Sequence, residues 1–407
     1  MNLGSWTDNI SWLRRIPENW TVTKVGRVTR LRDDRNEQHC SELLSLSAYT
    51  GVQQKNYEDE NQVRSGEELE KYWTVLPKQL VVNPMWQNHG SIAVSSISGV
   101  ISPDYRVYEF REDILPAYAH YVFRSSMYLS LYGVLTRGHT TYDRRISKED
   151  FASLPFAIPP LKEQRIIADY LDCKTAAIDM LSEKKRRLVT LLSEKRTELV
   201  NQAMKSSVAS SVKTIRLGHL LHRVKRQVDR ISDNVYQPIG MRSFGLGTFR
   251  KEILPGSELG DSDFFWVKQG DLIFSGPFSW EGAVAIAHDS DTDCVVSHRF
   301  PTFRFNRELV EPYYLLAFFK TPPGRFLLSE NSNGAAGRNR PLNINTLMKE
   351  RIPLPLISVQ KKIAEFAHTE EQVATFTQKS LDLLEEYRHA LISGTITGKT
   401  NICEEVA

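Results

Sequence analysis

The chain contains 407 residues, of which 41% are hydrophobic and 25% are charged. This length exceeds the roughly 150 residues of one ordinary domain, so we expect two or three domains. The composition is that of a soluble globular protein, and no run of about 18 apolar residues is present to cross a bilayer. The formal net charge of +3 gives only weak general attraction for nucleic acid, so any such affinity needs local basic surfaces or a partner.

Neither the N-terminus nor the cysteines indicate secretion. The segment from Met1 to Trp20 lacks the basic, apolar and small-residue regions of a signal peptide, so we expect a cytoplasmic protein. The four cysteines lie too far apart for a zinc site or a disulfide framework, and we interpret them as reduced thiols.

The two halves of the sequence align with one another. Leu80–Val82 corresponds to Leu272–Phe274 at a spacing of 192 residues. Pro159 corresponds to Pro355 at a spacing of 196, because small insertions lie between the two pairs. Matches that keep the same order along most of both halves predict a duplicated architecture rather than a solenoid of small repeats.

Each half begins with a region of predicted strands and turns. The runs 90–102 and 293–305 are rich in β-branched and aromatic residues and contain Gly or Pro where turns are expected. Short helices are predicted to follow at about Pro116–Tyr132 and Pro312–Leu328. The globular part of each half is therefore predicted to be α+β rather than all β.

A long helix is predicted at the end of each half, directly after a proline-rich junction. The junctions are Leu154–Pro160 and Ile352–Pro355. The first helix is expected over 161–205, which contains neither Gly nor Pro, and the second over about 358–393, before Gly394.

Apolar residues at heptad spacing predict that the two long helices pair with one another. The stripe of the first helix consists of Leu171, Ile178, Leu192 and Leu199, with Leu181 and Leu188 offset by three. The stripe of the second consists of Phe366, Val373 and Tyr387 together with Phe376, Leu383 and Ala390. A helix of about 40 residues is about 60 Å long, and a narrow apolar stripe along it needs a partner.

These patterns predict an α+β fold with two homologous globular domains, each followed by a long helix, and with the helices paired as an antiparallel coiled coil. The serine-rich segment 206–211 would form the turn into the second domain. The predicted boundaries are 1–160 and 206–356 for the globular domains, 161–205 and 357–394 for the helices, and 395–407 for a C-terminal tail.

The two junctions carry the most specific motif of the chain. IPPLKEQRIIADYLD at 158–172 and LPLISVQKKIAEFAH at 354–368 each combine a proline-flanked junction, a glutamine and an amphipathic helix. In this double motif, and in the globular region before each copy, the chain resembles the specificity (S) subunits of type I restriction-modification enzymes over essentially its whole length. The second copy departs from the first by lacking the Lys-Glu pair before Gln360.

The resemblance implies that the globular regions are target recognition domains, each reading one half of a bipartite site in double-stranded DNA. It implies that the helices set the separation of the domains and dock two methyltransferase (M) subunits, through which restriction (R) subunits join. S-adenosylmethionine, ATP and Mg would be held by these partners, so we expect no cofactor, metal, membrane contact or catalysis in this chain. The residues assigned to helix pairing and subunit docking are Gln164, Leu171, Ile178, Leu181, Leu188, Gln360, Phe366, Val373, Phe376 and Leu383.

Three alternatives stay open at this point. The chain could serve a complex that only methylates, or it could be a paired-helix scaffold that binds proteins without binding DNA. A self-contained methyltransferase is the third. Its nearest motif, Asn83-Pro84-Met85-Trp86, lacks the second proline and a preceding cofactor loop.

Predicted DNA contacts fall in loops that carry amide, hydroxyl and cationic side chains, which are the groups that read base edges and bind phosphates. In the first half they are Trp86, Gln87, Asn88, His89, Arg137, His139, Thr140, Thr141, Tyr142, Arg144 and Arg145. In the second half they are Arg242, Ser279, Trp280, Arg338, Asn339 and Arg340. Because the loops differ between the halves, we expect an asymmetric target. The two tryptophans could equally be packing residues.

Basic residues at the start of each domain are suited to phosphate contacts. They are Lys24, Arg27, Arg30 and Arg32 in the first half and Arg216, Arg223, Lys225 and Arg226 in the second. A solvated charged surface would explain the same residues.

Overall fold

The computed structural model describes residues 10–37, 40–55, 69–136, 145–205, 213–333, 340–400 and 402. The chain forms two compact units, one of residues 1–183 with 381–407 and one of residues 184–380. Each unit has its own hydrophobic core. Within the described ranges, no helix is both long and apolar enough to span a bilayer.

The first unit contains most elements of the first half of the sequence. Its strands are β1 (Thr21–Lys24), β2 (Thr29–Arg32), β3 (Leu44–Ser47), β4 (Gly51–Gln54), β5 (Trp73–Val75), β6 (Leu80–Val82), β7 (Ile92–Val94), β8 (Gly99–Ile101), β9 (Arg106–Phe110) and β10 (Pro155–Ile158). Its helices are α1 (Val25–Val28), α2 (Pro116–Arg124), α3 (Ser126–Leu135), α4 (Lys148–Ser153), the first part of α5 (Leu161–Lys205) and the last part of α10 (Ile357–Ile396).

A four-stranded antiparallel sheet with the order β2-β9-β6-β7 lies at the centre of the first unit. The central strand β6 buries both of its faces. Leu80 and Val82 lie in the core formed with α2 and α3, and Val81 lies in a second cluster with residues of β3 and β8. Neighbouring side chains of a strand point to opposite faces, so two buried faces require the continuous apolar run that the sequence shows.

The second unit contains the equivalent elements of the second half. Its strands are β11 (Lys213–Arg216), β12 (Leu221–Val224), β13 (Val235–Tyr236), β14 (Ile239–Met241), β15 (Thr248–Arg250), β16 (Leu254–Pro255), β17 (Phe264–Trp266), β18 (Leu272–Phe274), β19 (Val284–Ile286), β20 (Val295–Ser297), β21 (Thr302–Phe305) and β22 (Arg351–Leu354). Its helices are α6 (Leu217–Leu220), α7 (Pro312–Phe319), α8 (Pro322–Glu330), α9 (Ile344–Leu347), the last part of α5 and the first part of α10.

The sheet of the second unit repeats that of the first. Its strand order is β12-β21-β18-β19, and β18 again buries both faces, with Ile273 in one cluster and Leu272 and Phe274 in the other. The outer pairs β11-β22, β14-β15 and β17-β20 match β1-β10, β3-β4 and β5-β8. The shared order confirms the predicted duplication. The mixed helix and strand content and the long helix at 161–205 are also confirmed.

Each predicted short helix is in fact two helices. The first breaks at Ser125, which is extended and whose Oγ accepts the Tyr128 N–H at 3.4 Å. The second breaks near Thr321, whose Oγ1 accepts the Gly324 N–H at 3.3 Å. Hydroxyl side chains that cap a helix N-terminus start the new helix at both places.

The end of α10 was predicted too early. The helix continues through Gly394 to Ile396, because a glycine inside a helix costs only about 1 kcal/mol. The helix is followed by Gly398, whose backbone is left-handed with φ +68°. Its N–H donates to the Thr395 carbonyl at 3.1 Å. Ile396 and Ile402 are buried in the core of the first unit. The described part of the predicted tail therefore belongs to that core.

The predicted pairing stripe of α5 is correct only in part. Leu171 and Ile178 are buried, but Leu181 and Leu188 are 44% and 47% exposed, so their assignment to helix pairing is wrong. Farther along α5, the buried face of the helix includes Arg196. Its guanidinium is ion-paired, and an apolar periodicity cannot locate a buried face that contains charge.

The stripe of α10 shows the same error. Phe376 and Leu383 are 69% and 63% exposed and do not pair the helices, whereas Phe366 and Val373 are half-buried. Glu370, which the apolar pattern passes over, is buried and forms an ion pair with α5.

Within each unit a segment of α5 lies beside a segment of α10. In the first unit the Arg388 guanidinium contacts the Asp179 carboxylate and donates to the Thr175 carbonyl at 3.4 Å. In the second unit Arg196 pairs with Glu370, and both side chains are about one-tenth exposed. The start of α5 thus lies against the end of α10, and the end of α5 against the start of α10.

Gln164 joins the start of α5 to the globular part of the first unit. Its side chain is fully buried, and its Oε1 accepts the Leu115 N–H at 2.7 Å. Its Nε2 donates to the carbonyls of Asp113 and Pro159 at 2.9 and 3.0 Å. The prediction that Gln164 pairs the helices or docks a subunit is therefore wrong.

Gln360 makes the same connection at the start of α10. It is 1% exposed, and its Oε1 accepts the Glu311 N–H at 3.0 Å. Its Nε2 donates to the carbonyls of Leu309 and Pro355 at 3.3 and 2.8 Å. It too is a residue of the domain core rather than of a docking surface, because a buried amide with three partners is costly to expose.

Candidate nucleic-acid interface

The turn between β6 and β7, residues 83–91, carries predicted DNA contacts and is named the first reading turn for that prediction. Its ends are joined by a hydrogen bond from the Asn83 N–H to the Ser91 carbonyl at 2.9 Å. The Asn83 Oδ1 accepts the Met85 N–H at 3.1 Å, and Gly90 has a φ of +86°. The asparagine of the candidate methyltransferase motif is therefore engaged in forming a turn.

The side chains of the first reading turn divide into exposed and buried groups. Trp86 is 43% exposed, and its ring lies 5.5 Å from that of the exposed His89, while Asn88 is half-buried. Gln87 is fully buried, because the short helical turn 87–89 packs against α3. The prediction that Gln87 reads bases is therefore wrong for this conformation. Trp86, Asn88 and His89 keep that role as a prediction.

The turn between β18 and β19, residues 275–283, is the second reading turn. Ser279 is fully buried and its Oγ donates to the Ser275 carbonyl at 2.5 Å, so its predicted DNA contact is also wrong. Trp280 is half-buried, and the Arg340 guanidinium lies 4.8 Å from its ring centroid. The Glu281 carboxylate accepts the Ser243 hydroxyl at 2.6 Å.

The residues that follow the second predicted loop, called the returning loop (137–145 and 333–340), are bonded to the reading turn in both units. In the first unit the Ile146 N–H donates to the Pro84 carbonyl at 3.1 Å, and in the second the Leu342 N–H donates to the Gly276 carbonyl at 2.8 Å. Arg145, beside Ile146, forms an ion pair with Asp104 at 2.8 Å. The remaining predicted loop residues lie outside the described ranges and are Arg137, His139, Thr140, Thr141, Tyr142, Arg144, Arg338 and Asn339.

The predicted phosphate contacts of the first unit lie at different ends of the sheet, as the strand register shows. Arg32 at the end of β2 and Val82 at the end of β6 lie at the same end of the sheet, where the reading turn begins. Lys24 and Arg27 precede β2 and so lie toward the other end. The structure does not bring them to the reading turn. Arg30, in the middle of β2, is exposed.

The second unit shows the same separation. Arg223 and Lys225, near the end of β12, are exposed at the end of the sheet from which the reading turn projects. Arg216 precedes α6 and lies toward the other end. Arg226 is used internally, because its guanidinium binds both oxygens of the buried Asp271 at 2.6 and 3.0 Å.

Arg32 is also engaged within its own unit. Its guanidinium pairs with Asp34 at 2.7 Å and with Glu109 at 3.3 Å. Exposed ion pairs of this kind exchange readily with solvent, so they contribute little to stability. The two carboxylates nevertheless offset the positive charge of Arg32 and weaken its attraction for a phosphate.

Three exposed residues beside the reading turns were not predicted. Tyr49, in the β3–β4 turn, is 94% exposed, and Phe244, in the β14–β15 turn, is 67% exposed. Arg299 is exposed, and its carbonyl accepts the Gly276 N–H at 2.7 Å. The predicted contact Arg242 is also exposed, with its guanidinium 5.8 Å from the Phe249 ring centroid. Glycines marked both hairpin turns in the sequence, but the aromatic residues within them gave no periodic signal.

Comparison with known proteins gives one consistent result. No family model matches the chain. The type I restriction enzyme MjaVIII specificity subunit of Methanocaldococcus jannaschii is 21% identical over 420 residues, which cover 95% of this chain and 94% of that protein. The type I restriction-modification system S subunit from M. genitalium has a TM-score of 0.50 at 12% identity, covering 97% of this chain and 98% of its own.

A second solved structure agrees in fold. It comes from a study of complex assembly and conformational transition in the type I restriction-modification system, and it has a TM-score of 0.53 at 15% identity. The match covers 95% of this chain and 99% of the other. The resemblance to the specificity subunits of type I restriction-modification enzymes that the two junctions indicated is thus confirmed, in sequence by a curated relative and in fold by solved structures.

Proposed function

We propose that this chain is the DNA-reading specificity subunit of a type I restriction-modification complex, and that each unit reads one half of a bipartite site in double-stranded DNA. One observation carries the proposal. In both units the residues that directly follow the second candidate loop are bonded to the reading turn at one end of the central sheet, from Ile146 to Pro84 and from Leu342 to Gly276. Loops held by a rigid sheet are suited to sequence recognition.

The target is proposed to be asymmetric. The first reading turn carries the exposed Trp86 and His89 and the half-buried Asn88, whereas the aligned positions of the second carry the exposed Phe278, the half-buried Trp280 and the buried Glu281. Amide and imidazole groups hydrogen-bond base edges, whereas aromatic rings make apolar contacts, so two scaffolds of the same design would select different half-sites.

The long helices are proposed to pair as an antiparallel coiled coil that sets the distance between the half-sites. The contacts of Arg388 with Asp179 and of Arg196 with Glu370 support this pairing, since an antiparallel pair requires the start of each helix to meet the end of the other. In this proposal the recognition domains are 1–160 and 206–356, and the helices act as spacers.

The proposed partners are two M subunits and, through them, R subunits. Leu181, Leu188, Phe376 and Leu383 are exposed on the helices and offer apolar surface for docking an M subunit. The chemistry would belong to those partners, with S-adenosylmethionine on M, and ATP and Mg on R. This chain is proposed to contribute binding and orientation alone.

The test is methylome sequencing of cells that express the chain with the methyltransferase of the same locus, compared with cells that lack the chain. We expect an asymmetric, two-part motif methylated on adenine that disappears when the chain is deleted. A methylome that does not change on deletion, with both proteins expressed, would contradict DNA reading and favour a scaffold. Binding of S-adenosylmethionine by the isolated chain would favour a self-contained methyltransferase.

A further inference from the structure

Each unit presents one aromatic ring from a hairpin turn beside its reading turn. Tyr49 lies between β3 and β4 and is 94% exposed, and Phe244 lies between β14 and β15 and is 67% exposed. Aromatic side chains normally bury most of their surface, so a nearly bare ring at the tip of a hairpin costs hydration free energy without contributing to the core.

In the first unit the backbone around Tyr49 is tied to the reading turn by an arginine. The Arg124 Nη2 donates to the Ala48 carbonyl at 2.6 Å, and its Nη1 donates to the Ile92 carbonyl at 3.1 Å, just after the reading turn. Gly90 packs close to Ala48, since a Cβ at the glycine would lie 3.7 Å from the alanine Cβ. The position of Tyr49 relative to the reading turn is therefore fixed.

The second unit reaches the same arrangement through different contacts. The Gly245 N–H donates to the Gly282 carbonyl of the reading turn at 2.8 Å. Phe244 itself has a left-handed backbone, with φ +60°, which costs a residue with a Cβ roughly 1 kcal/mol. Such strain persists only where surrounding contacts hold it, and it marks functional positions more often than ordinary surface.

We propose that Tyr49 and Phe244 contact DNA through their rings, each making apolar contact with thymine methyl groups in the half-site read by the neighbouring turn. The hairpin and the reading turn lie side by side through these contacts, and two segments about 5 Å apart form, with their side chains, a face about 10 Å wide. That face exceeds the minor groove, about 6 Å wide, and fits the major groove, where the thymine methyl is displayed. This inference rests on the proposed function.

The test uses the purified complex of this chain with its M subunit and a pool of randomised duplexes. The variants are Tyr49→Ala, Tyr49→Phe and Phe244→Asn, since asparagine tolerates the left-handed backbone and removes the ring without added strain. A matched control is Leu76→Ala, because Leu76 is 51% exposed in the turn before β6, at the other end of the sheet.

We expect Tyr49→Ala and Phe244→Asn each to weaken binding of the selected duplex about tenfold and to relax a thymine preference in one half-site only. Leu76→Ala should bind as the unaltered complex does, and Tyr49→Phe, which keeps the ring, should retain the thymine preference that Tyr49→Ala loses. Replacing those thymines by deoxyuridine should weaken the unaltered complex and leave the matching ring-deleted variant unchanged.

The two proposals fail in different ways. If the unaltered complex selects no sequence, the proposed function fails. If it selects a two-part sequence, but removing the rings changes neither affinity nor preference, or the half-sites contain no thymine preference, the ring contacts alone are overturned.

Discussion

The two units share their internal bonds and differ in their exposed turns. Gln164 and Gln360 occupy equivalent positions in the two units. The Oε1 of each accepts one hydrogen bond and the Nε2 of each donates two, and the backbone partners are equivalent. The reading turns keep the buried first position of their short helical turn, Gln87 or Ser279, and carry different residues at the neighbouring positions. The two halves thus share the buried hydrogen bonds that stabilise each unit, whereas the side chains of their reading turns have diverged.

A second difference concerns the ion pairs between the long helices. Arg196 and Glu370 are both about one-tenth exposed, whereas Asp179, the partner of Arg388, is 67% exposed. A buried pair has already lost its hydration, so removing one partner leaves an uncompensated charge. An exposed carboxylate can return to water.

Arg196→Ala should have the largest effect. We expect the second unit to lose about 3 to 5 kcal/mol of unfolding free energy, because Glu370 would stay buried without its partner. The measurement is hydrogen exchange resolved by peptide over residues 184–380. Arg388→Ala is the matched control and should cost less than about 1 kcal/mol in the first unit. Equal losses would show that the two pairs do not differ as their exposure indicates.

Acid should destabilise the first unit through His120. Burial, helped by Arg124, lowers the pKa of His120 to about 4, and its Nδ1 accepts the Val94 N–H at 3.3 Å. The unfolded chain binds this proton near pH 6.5, whereas the folded chain binds it only near pH 4. The free energy of unfolding therefore decreases by about 3 kcal/mol as the pH falls from 6.5 to 4.

The check is the pH dependence of unfolding in the His120→Asn variant. Its amide oxygen can replace Nδ1 as the acceptor without titrating in this range, so the loss between pH 6.5 and 4 should shrink. A pH dependence identical to that of the unaltered chain would remove His120 as its source.

The variants Gln164→Ala and Gln360→Ala test whether the equivalent glutamine hydrogen bonds stabilise the two units equally. Each should destabilise its own unit by about 2 kcal/mol, because buried backbone groups lose their partners. Peptide-resolved hydrogen exchange would show the loss in one unit at a time. A loss in one variant and none in the other would mean that the repeated bonds are not equivalent in energy.

Arginines beside the reading turns should give the smallest effects. We expect Arg145→Ala and Arg340→Ala to weaken binding of the M complex to its target about fivefold, which is about 1 kcal/mol, through lost phosphate or base contacts. Titration with labelled duplex at fixed salt measures this. Unchanged affinity in both variants would remove the returning loops from the interface.

The sequence was sufficient for features that depend on local pattern. Gly and Pro spacing placed the start of α5 at Leu161, and the matched apolar runs identified β6 and β18 as equivalent. The proline junctions with Gln164 and Gln360 led to the resemblance that the comparisons confirm, although the role first assigned to the two glutamines was wrong.

The remaining errors arise where tertiary packing decides. Gln87 and Ser279 look like reading residues in sequence, but the orientation of a short helical turn against α3 or α8 buries them. Leu181 lies at an apolar heptad position and is nevertheless exposed, whereas the charged side chains of Arg196 and Glu370 are buried between the two helices of the second unit. No one-dimensional pattern contains a charge pair formed between residues that are far apart in sequence.

The central claim is that each reading turn selects its own half-site, and exchanging the turns tests it most directly. The variant Trp86→Phe, Asn88→Trp, His89→Glu places on the first turn the residues that the second turn carries at the aligned positions, and it leaves the buried Gln87 intact. Selection from randomised duplexes by the M complex should show a changed first half-site and an unchanged second. A motif that stays the same, or one in which both halves change together, would contradict the account.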